Sequence, residues 1–140
     1  DTDKPKTKDT LYIELDGAAI NTRVEDENGS TWKENKLAIL FDDKDLYKRK
    51  DGSNKIISKE YVTYFGCVDE FQKHLFACAL KHDFQSYQNV IFISDGATWI
   101  RNMINEFYPN AVQILDLFHL KENISDYAKI IFKDNDRKNL

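Results

Sequence analysis

The sequence has few of the features that mark several large classes of protein. Its 140 residues include only 2 cysteines, and neither Cys67 nor Cys78 has the spacing of a metal-binding motif. Both lie among apolar residues, so we expect reduced thiols in the core of a cytosolic protein. No apolar run approaches the roughly 20 residues of a membrane span. The sequence therefore favours a cytosolic domain without disulfides or membrane helices.

Positive charge is also scarce. There are 20 Lys and Arg against 24 Asp and Glu, for a net charge of −4, whereas a domain that binds DNA by itself is usually basic. The charge counts against an autonomous DNA-binding module, but it does not exclude a catalytic domain whose DNA contacts lie elsewhere in a parent protein. The hydrophobic content of 41% predicts a folded domain. The first residue is Asp1 rather than Met, and we expect a piece of a longer protein.

Hydrophobic periodicity divides the chain into alternating strands and helices. We predict strands over residues 10–16, 32–42, 56–66, 90–94 and 111–115. We predict helices over residues 68–82, from just after Asp95 to near Pro109, and over 118–132. We predict that the charged residues 42–55, between the second and third strands, form a loop with its turn at Asp51-Gly52.

The order βββαβαβα predicts an α/β fold of the RNase H-like class. Three consecutive strands with polar turns favour an antiparallel meander, and the later β-α-β crossovers add parallel strands. The result is a five-stranded mixed sheet flanked by helices. We expect residues 1–9 to be a linker, 10–132 to be the core and 133–140 to be a frayed tail.

The segment at residues 90–102, VIFISDGATWIRN, carries the strongest functional signal. Its first four residues are apolar and predict a fully buried strand, which ends on Asp95 before a helix. A carboxylate at the C-terminal end of such a strand lies where open α/β sheets place their active sites. The first strand also ends on an acid followed by glycine, Asp16-Gly17.

Asp16 and Asp95 are therefore candidate metal ligands. If the fourth strand runs beside the first, both acids reach the same region of the sheet. Neighbouring carboxylates repel each other unless a cation lies between them or one is protonated. Mg²⁺ or Mn²⁺ suits carboxylate oxygens, and two ions about 3.5–4 Å apart are the usual arrangement for phosphodiester chemistry. Asp-Gly is also a common turn dipeptide, but its recurrence at two strand ends favours the metal interpretation.

Two further positions have a structural and a functional interpretation. Asp116 follows the fifth strand, where it is either a ligand or the N-cap of the helix over 118–132. His119 either stacks or hydrogen-bonds near the site, or packs without a chemical role. We expect His74 and His82 to be surface residues.

Three segments of the sequence resemble the DDE-type transposases of bacterial insertion sequences. They are LDGAAI…WKENK…ILF, VIFISDGATWIRN and AVQILDLFHLKENI, and they span about residues 11–128. The most specific parts are the Asp-Gly-Ala-x-Trp-Ile block at 95–100 and the Asp-x-x-His at 116–119. The resemblance is to the Lre-type and Kra-type families, which are related to the Mutator-like superfamily.

This resemblance implies a catalytic core that uses two Mg²⁺ or Mn²⁺ ions to cut transposon-end DNA and join it to target DNA. It implies that Asp16 is the first catalytic acid and Asp95 the second, both as metal ligands, with Asp116 and His119 as signature residues near the site. The family's third acid lies downstream, beyond residue 140, so we expect this fragment to be inactive. We also expect a cytoplasmic, nucleoid-associated parent protein and a homodimer of the isolated core.

Two alternatives come from the same residues. The segment YIELDGAAI faintly resembles the Asp-x-Asp-Gly-Thr strand end of haloacid-dehalogenase-type phosphatases, but Glu14 occupies the nucleophile position and Ala18 replaces the threonine. The other alternative is a non-catalytic RNase H-like module that binds DNA or a partner protein. The presence of both Asp16 and Asp95 argues against that module.

Overall fold

The computed structural model of the protein describes residues 5–116. The strands are β1 (Lys8–Asn21), β2 (Trp32–Asp42), β3 (Leu46–Lys48), β4 (Asn54–Ile56), β5 (Glu60–Phe65), β6 (Tyr87–Ser94) and β7 (Val112–Leu115). The helices are α1 (Val68–Lys81) and α2 (Thr98–Phe107). Strands β3 and β4 pair with each other as a small separate ribbon.

The other five strands form one mixed sheet in the order β5-β2-β1-β6-β7. The pairs β1–β2 and β2–β5 are antiparallel, whereas β1–β6 and β6–β7 are parallel. A three-stranded meander extended by two parallel strands is the arrangement of an RNase H-like α/β fold. The fold class predicted from the sequence is confirmed.

The core lies between the sheet and the two helices. Successive strand residues point to opposite faces, and on β1 this places Leu11 and Ile13 on the helix side with no exposed surface. Phe71 and Leu75 of α1 are equally buried against them. The largest fully buried side chains are Phe71, Phe92, Leu11, Ile13, Leu40, Leu75, Met103 and Ile104. The apolar periodicity of both helices therefore marked the packed face correctly.

Both central strands begin earlier than the hydrophobic pattern suggested. β1 begins at Lys8, inside the segment 1–9 that we expected to be a linker, because Lys8 pairs with Tyr87 at the start of β6. The Tyr87 hydroxyl donates a 2.7 Å hydrogen bond to Asp42 Oδ2 at the end of β2. Contacts between segments far apart in the sequence thus extend strands through polar residues.

The third predicted strand is shorter than expected. Residues 56–66 were predicted as one strand, but Ile56 pairs with Leu46 in the ribbon, and β5 begins only at Glu60. The segment predicted as a charged loop therefore contains the two ribbon strands. The Asp51-Gly52 turn lies between them, as the dipeptide indicated.

The strand at 90–94 is buried on one face rather than two. Phe92 and Ser94 are 1% and 7% exposed, whereas Ile91 and Ile93 are half-buried. The prediction of a fully buried strand was wrong for the part of the chain that the structure describes, because α1 and α2 cover only the face of Phe92.

The prediction for the cysteines is confirmed for one residue and wrong for the other. Cys78 is buried in α1, but Cys67 is exposed at the position that precedes the helix. The predicted helix over 118–132, the residue His119 and the predicted tail at 133–140 lie outside the described residues. Neither helix within residues 5–116 is long and apolar enough to cross a membrane.

Candidate metal centre

Strand register places three aspartates side by side at one edge of the sheet. Glu14 of β1 pairs with Ile93 of β6, and Ile93 pairs with Ile114 of β7. Two residues further along each parallel strand are Asp16, Asp95 and Asp116. We call these three residues the acid row. The backbone N–H of Asp116 donates a 2.7 Å hydrogen bond to the carbonyl of Ser94, which continues the pairing to the level of the row.

Asp16 occupies a different place in its strand from the one predicted. β1 does not end there, because it continues its antiparallel pairing with β2 as far as Asn21. Only the pairing with β6 stops, at Glu14. Asp16 is therefore an exposed residue just beyond that last pair, whereas Asp95 directly follows the end of β6.

Asp16 and Asp95 line the same cleft. Its volume is about 260 Å³, and its lining residues are Leu15, Asp16, Gly17, Glu34, Asp95, Ala97, Trp99 and Ile100. Glu34 comes from β2 and lies over Gly17, where a Cβ atom would collide with its carboxylate. Because Gly17 has no side chain, the carboxylate of Glu34 has room in the cleft beside Asp16 and Asp95.

The turn after β6 holds Asp95 in position. Asp95 Oδ1 accepts a 3.0 Å hydrogen bond from the backbone N–H of Ala97, and Ser94 Oγ accepts one of 3.2 Å from the N–H of Gly96. Gly96 has a φ of +78°, a conformation that glycine adopts at little cost. Asp95 is thus both a turn residue, as the Asp-Gly dipeptide indicated, and a lining residue of the cleft.

Replacement of Gly96 by alanine tests how tightly this turn is built. A Cβ atom at Gly96 would lie 3.0 Å from Leu115 Cδ1, in addition to the strain of the left-handed backbone. Gly29 is a matched control, because its φ is +77° and nothing lies within 4 Å of a Cβ atom there. We expect Gly29→Ala to lower the free energy of unfolding by about 1 kcal/mol and Gly96→Ala by about 2 kcal/mol.

Urea denaturation of the two variants checks this comparison. Equal losses of stability would show that Leu115 moves aside at no cost, and would contradict a tightly packed turn at Asp95.

Glu14 lies two residues before Asp16 in β1, on the same face of the strand. Burial raises the pKa of its carboxyl, and the nearby negative charges of Asp116 and Asp16 raise it further, while Lys59 opposes them. Asp16 and Asp116 therefore both lie within electrostatic reach of Glu14. Accumulated negative charge of this kind is reduced when a cation binds.

The donor atoms suit a hard divalent cation. The side chains of Asp16, Asp95 and Glu34 present carboxylate oxygens to a solvent-accessible cleft, and Mg²⁺ and Mn²⁺ prefer oxygen ligands and retain several waters. The cleft leaves space for such waters. The donor chemistry of the cleft is therefore the one that these ions prefer.

The sequence interpretation missed two acids in this region, Glu34 and Glu14. Glu34 lies in the polar first half of β2, where no apolar pattern marks it. Pairing of β2 with β1 beyond Asp16 is what brings it to the cleft. Glu14 was noted only as a poor match to a phosphatase nucleophile. Its two-residue spacing from Asp16, which places both on one face of a strand, was the available signal.

Comparison with known proteins gives a family match and several weak structural likenesses, two of which are described below. The family model described as "Uncharacterised protein family (UPF0236)" matches residues 2–137. The Drosophila P element transposase, in its strand transfer complex, has a TM-score of 0.42 and 14% identity over 84% of this chain and 29% of that chain. LC9-RNase H1, a type 1 RNase H with the type 2 active-site motif, has a TM-score of 0.38 and 12% identity over 70% of this chain and 44% of that chain.

The chain spans less than half the length of both solved structures. No curated protein matches it.

Proposed function

We propose that this chain, which belongs to the uncharacterised protein family UPF0236, is part of the catalytic core of a DDE-type DNA transposase. The observation that carries the proposal is the acid row, in which Asp16, Asp95 and Asp116 each lie two residues beyond a paired position of three neighbouring parallel strands. The blocks at 95–100 and 116–119 that resemble insertion-sequence transposases support the choice of reaction. The third acid, which that resemblance places beyond residue 140, belongs to the same proposal.

The proposed reaction is cleavage and joining of phosphodiester bonds at transposon ends. Bound Mg²⁺ or Mn²⁺ would activate the attacking oxygen and stabilise the leaving 3′ oxygen. The chain's own contribution is to hold the ligands: β1 presents Asp16, and the turn at Ala97 orients Asp95 through one of its two oxygens. Because the strands are hydrogen-bonded neighbours, the ligands are positioned before any substrate arrives.

DNA is the proposed substrate, although the chain has a net charge of −4. Negative charge near the cleft repels phosphates until cations neutralise it, so DNA binding at the cleft should depend on divalent metal. Most of the affinity for DNA would come from other parts of the parent protein. Asp16 and Asp95 would therefore hold the cation that lowers this repulsion.

Binding of Mn²⁺ tests the site in this chain directly. Paramagnetic broadening of NMR signals should be strongest for residues around Asp16 and Asp95, with a dissociation constant in the range of about 10⁻⁴–10⁻³ M for an exposed oxygen site. Asp16→Asn or Asp95→Asn should weaken binding at least about tenfold. Asp51→Asn is the matched control, because Asp51 is an exposed aspartate in the turn of the β3–β4 ribbon.

Broadening that is unchanged in both cleft variants, or that centres on another acidic surface, would overturn the assignment of the metal centre.

The reaction itself is tested with the longest natural form of the protein and DNA that carries the ends of its own element. Labelled ends should be cut in Mg²⁺ and remain intact in a metal chelator. A protein that binds these ends but never cuts them in Mg²⁺ or Mn²⁺ would support the non-catalytic module instead.

A further inference from the structure

A second group of metal-ligand side chains lies away from the cleft, on the α1 side of the sheet. Glu60 begins β5, while Cys78 and His82 lie one helical turn apart at the C-terminal end of α1. One ligand atom from each residue lies within 4.8 Å of those from the other two. We call these three residues the Glu-Cys-His cluster. It shares no residue with the cleft of Asp16 and Asp95.

The cluster is already connected by direct contacts. His82 Nε2 contacts Glu60 Oε2, and the Cys78 sulfur lies within 4.8 Å of a ligand atom of each of them. Cys78 is 9% exposed, whereas the side chains of His82 and Glu60 are 30% and 40% exposed. The cluster is therefore closed on the core side and accessible to an ion from solvent.

The mixture of donors distinguishes this cluster from a surface acid patch. A thiolate, an imidazole and a carboxylate together match the ligand preferences of zinc, while Mg²⁺ and Ca²⁺ prefer oxygen donors alone. Zinc bonds of about 2.0–2.3 Å in a tetrahedron place neighbouring ligand atoms about 3.5 Å apart. The ligand atoms of the cluster all lie within 4.8 Å of one another, which is close to that spacing.

We propose that Glu60, Cys78 and His82 bind one divalent cation of the zinc class, at a site separate from the acid row. Three protein ligands leave a fourth position for water or for an external ligand. The ion joins edge strand β5 to the end of α1. The two negative ligands, Glu60 and a deprotonated Cys78, outweigh the positive charge of neighbouring Lys81.

Metal binding at the Glu-Cys-His cluster should release protons, and this release can be measured. Without a cation, burial raises the pKa of the Cys78 thiol to about 11, and the hydrogen bond to Glu60 raises it as well. Binding breaks the S–H bond and forms a sulfur–metal bond, and the proton goes to solvent. Zinc binding at neutral pH should therefore release about one proton for each ion bound.

The test uses Co²⁺ and Zn²⁺ with the folded protein in a Cys67→Ser background. Cys67 is exposed and lies outside the cluster, so its removal leaves Cys78 as the single thiol. One equivalent of Co²⁺ should produce a thiolate-to-cobalt charge-transfer absorption, and Zn²⁺ should abolish it by displacement. A hundredfold excess of Zn²⁺ over its dissociation constant should raise the Tm by roughly 5–10 °C.

Single substitutions test which side chains bind the metal. Cys78→Ser should remove the cobalt absorption, and His82→Gln, which keeps a polar side chain, should weaken Zn²⁺ binding by at least about tenfold. His74→Gln is the matched control, because His74 is an exposed histidine of α1 whose ring is tilted against that of Tyr64, with centroids 5.2 Å apart. Asp95→Asn should leave the absorption unchanged, which separates this site from the acid row.

If a variant fails to fold, Co²⁺ and Zn²⁺ binding to the wild-type protein still tests the proposal. The absence of a thiolate absorption at stoichiometric Co²⁺, or zinc binding without proton release, would overturn the proposal. An absorption that survives Cys78→Ser and disappears with Cys67→Ser would do the same.

Discussion

Asp95→Asn in the longest natural form of the protein is expected to reduce Mg²⁺-dependent cleavage of transposon-end DNA by about 10³-fold. Loss of one charged ligand removes several kcal/mol of transition-state stabilisation, and about 4 kcal/mol corresponds to that factor. The substitution spares the fold, because the Asn side-chain oxygen still accepts the hydrogen bond from the N–H of Ala97. The rate is measured as release of labelled 3′ ends under single-turnover conditions.

The other members of the acid row give a graded comparison. Asp16→Asn should reduce activity as much as Asp95→Asn, because it also removes one charged ligand. It should keep the fold, since Asn still accepts the hydrogen bond from the N–H of Gly17. Asp116→Asn separates the two interpretations of that residue: a ligand loses activity on the same scale, whereas an N-cap residue loses almost none because Asn also caps helices. Asp51→Asn, in the ribbon turn, should have full activity. Normal rates in both Asp16→Asn and Asp95→Asn would exclude the acid row as the catalytic centre.

Phe71→Ala is expected to lower the free energy of unfolding by about 3–5 kcal/mol. Phe71 has no exposed surface and packs edge-on against Trp99, with ring centroids 6.1 Å apart. Its removal leaves a cavity between α1 and the sheet and withdraws support from Trp99, which lines the cleft. Urea denaturation followed by circular dichroism measures the loss, which is a large share of the stability of an ordinary domain.

Phe65→Ala is the matched control for this prediction. Phe65 is 46% exposed at the end of edge strand β5, so its truncation should cost less than about 1 kcal/mol. Similar losses at the two positions would contradict the assignment of the core to the α1 side of the sheet.

Local sequence pattern predicted the elements whose stability comes from one buried face. The bounds of β2 agree with the prediction at both ends. Both described helices begin and end within a few residues of the predicted positions, because their apolar residues recur every three or four positions and face the sheet. The order of these elements was enough to predict the fold class.

Features that depend on distant pairing were predicted less well. The ribbon of β3 and β4 could not be read from a charged segment, because its strands are held by pairing with each other and bury little apolar surface. His82 was expected to be a surface residue, yet it contacts Glu60, from a strand that no local pattern links to the end of α1. Cys67 has apolar neighbours in sequence but precedes the helix on an exposed turn.

The acid row was predicted in part. Asp16 and Asp95 were paired from their positions at strand ends, and the register agrees with that pairing even though β1 continues past Asp16. The contribution of Glu34 to the cleft depends on the register of β2 against β1, in which Glu34 lies opposite Ala19 and its side chain reaches over Gly17. A one-residue shift in register would turn that side chain to the other face, so this detail required the structure.

The parallel pairing of β1 with β6 also has a consequence for folding. The meander of β1, β2 and β5 joins neighbours in sequence, so its closure costs little loop entropy, whereas the segment between β1 and β6 is long, because it contains β2, the ribbon, β5 and α1. A chain that has folded only as far as the meander holds Asp16 without Asp95 or Asp116. The acid row is complete only when β6 pairs with β1 and β7 pairs with β6, so a nascent or partly folded chain lacks the full set of carboxylates that we propose as ligands.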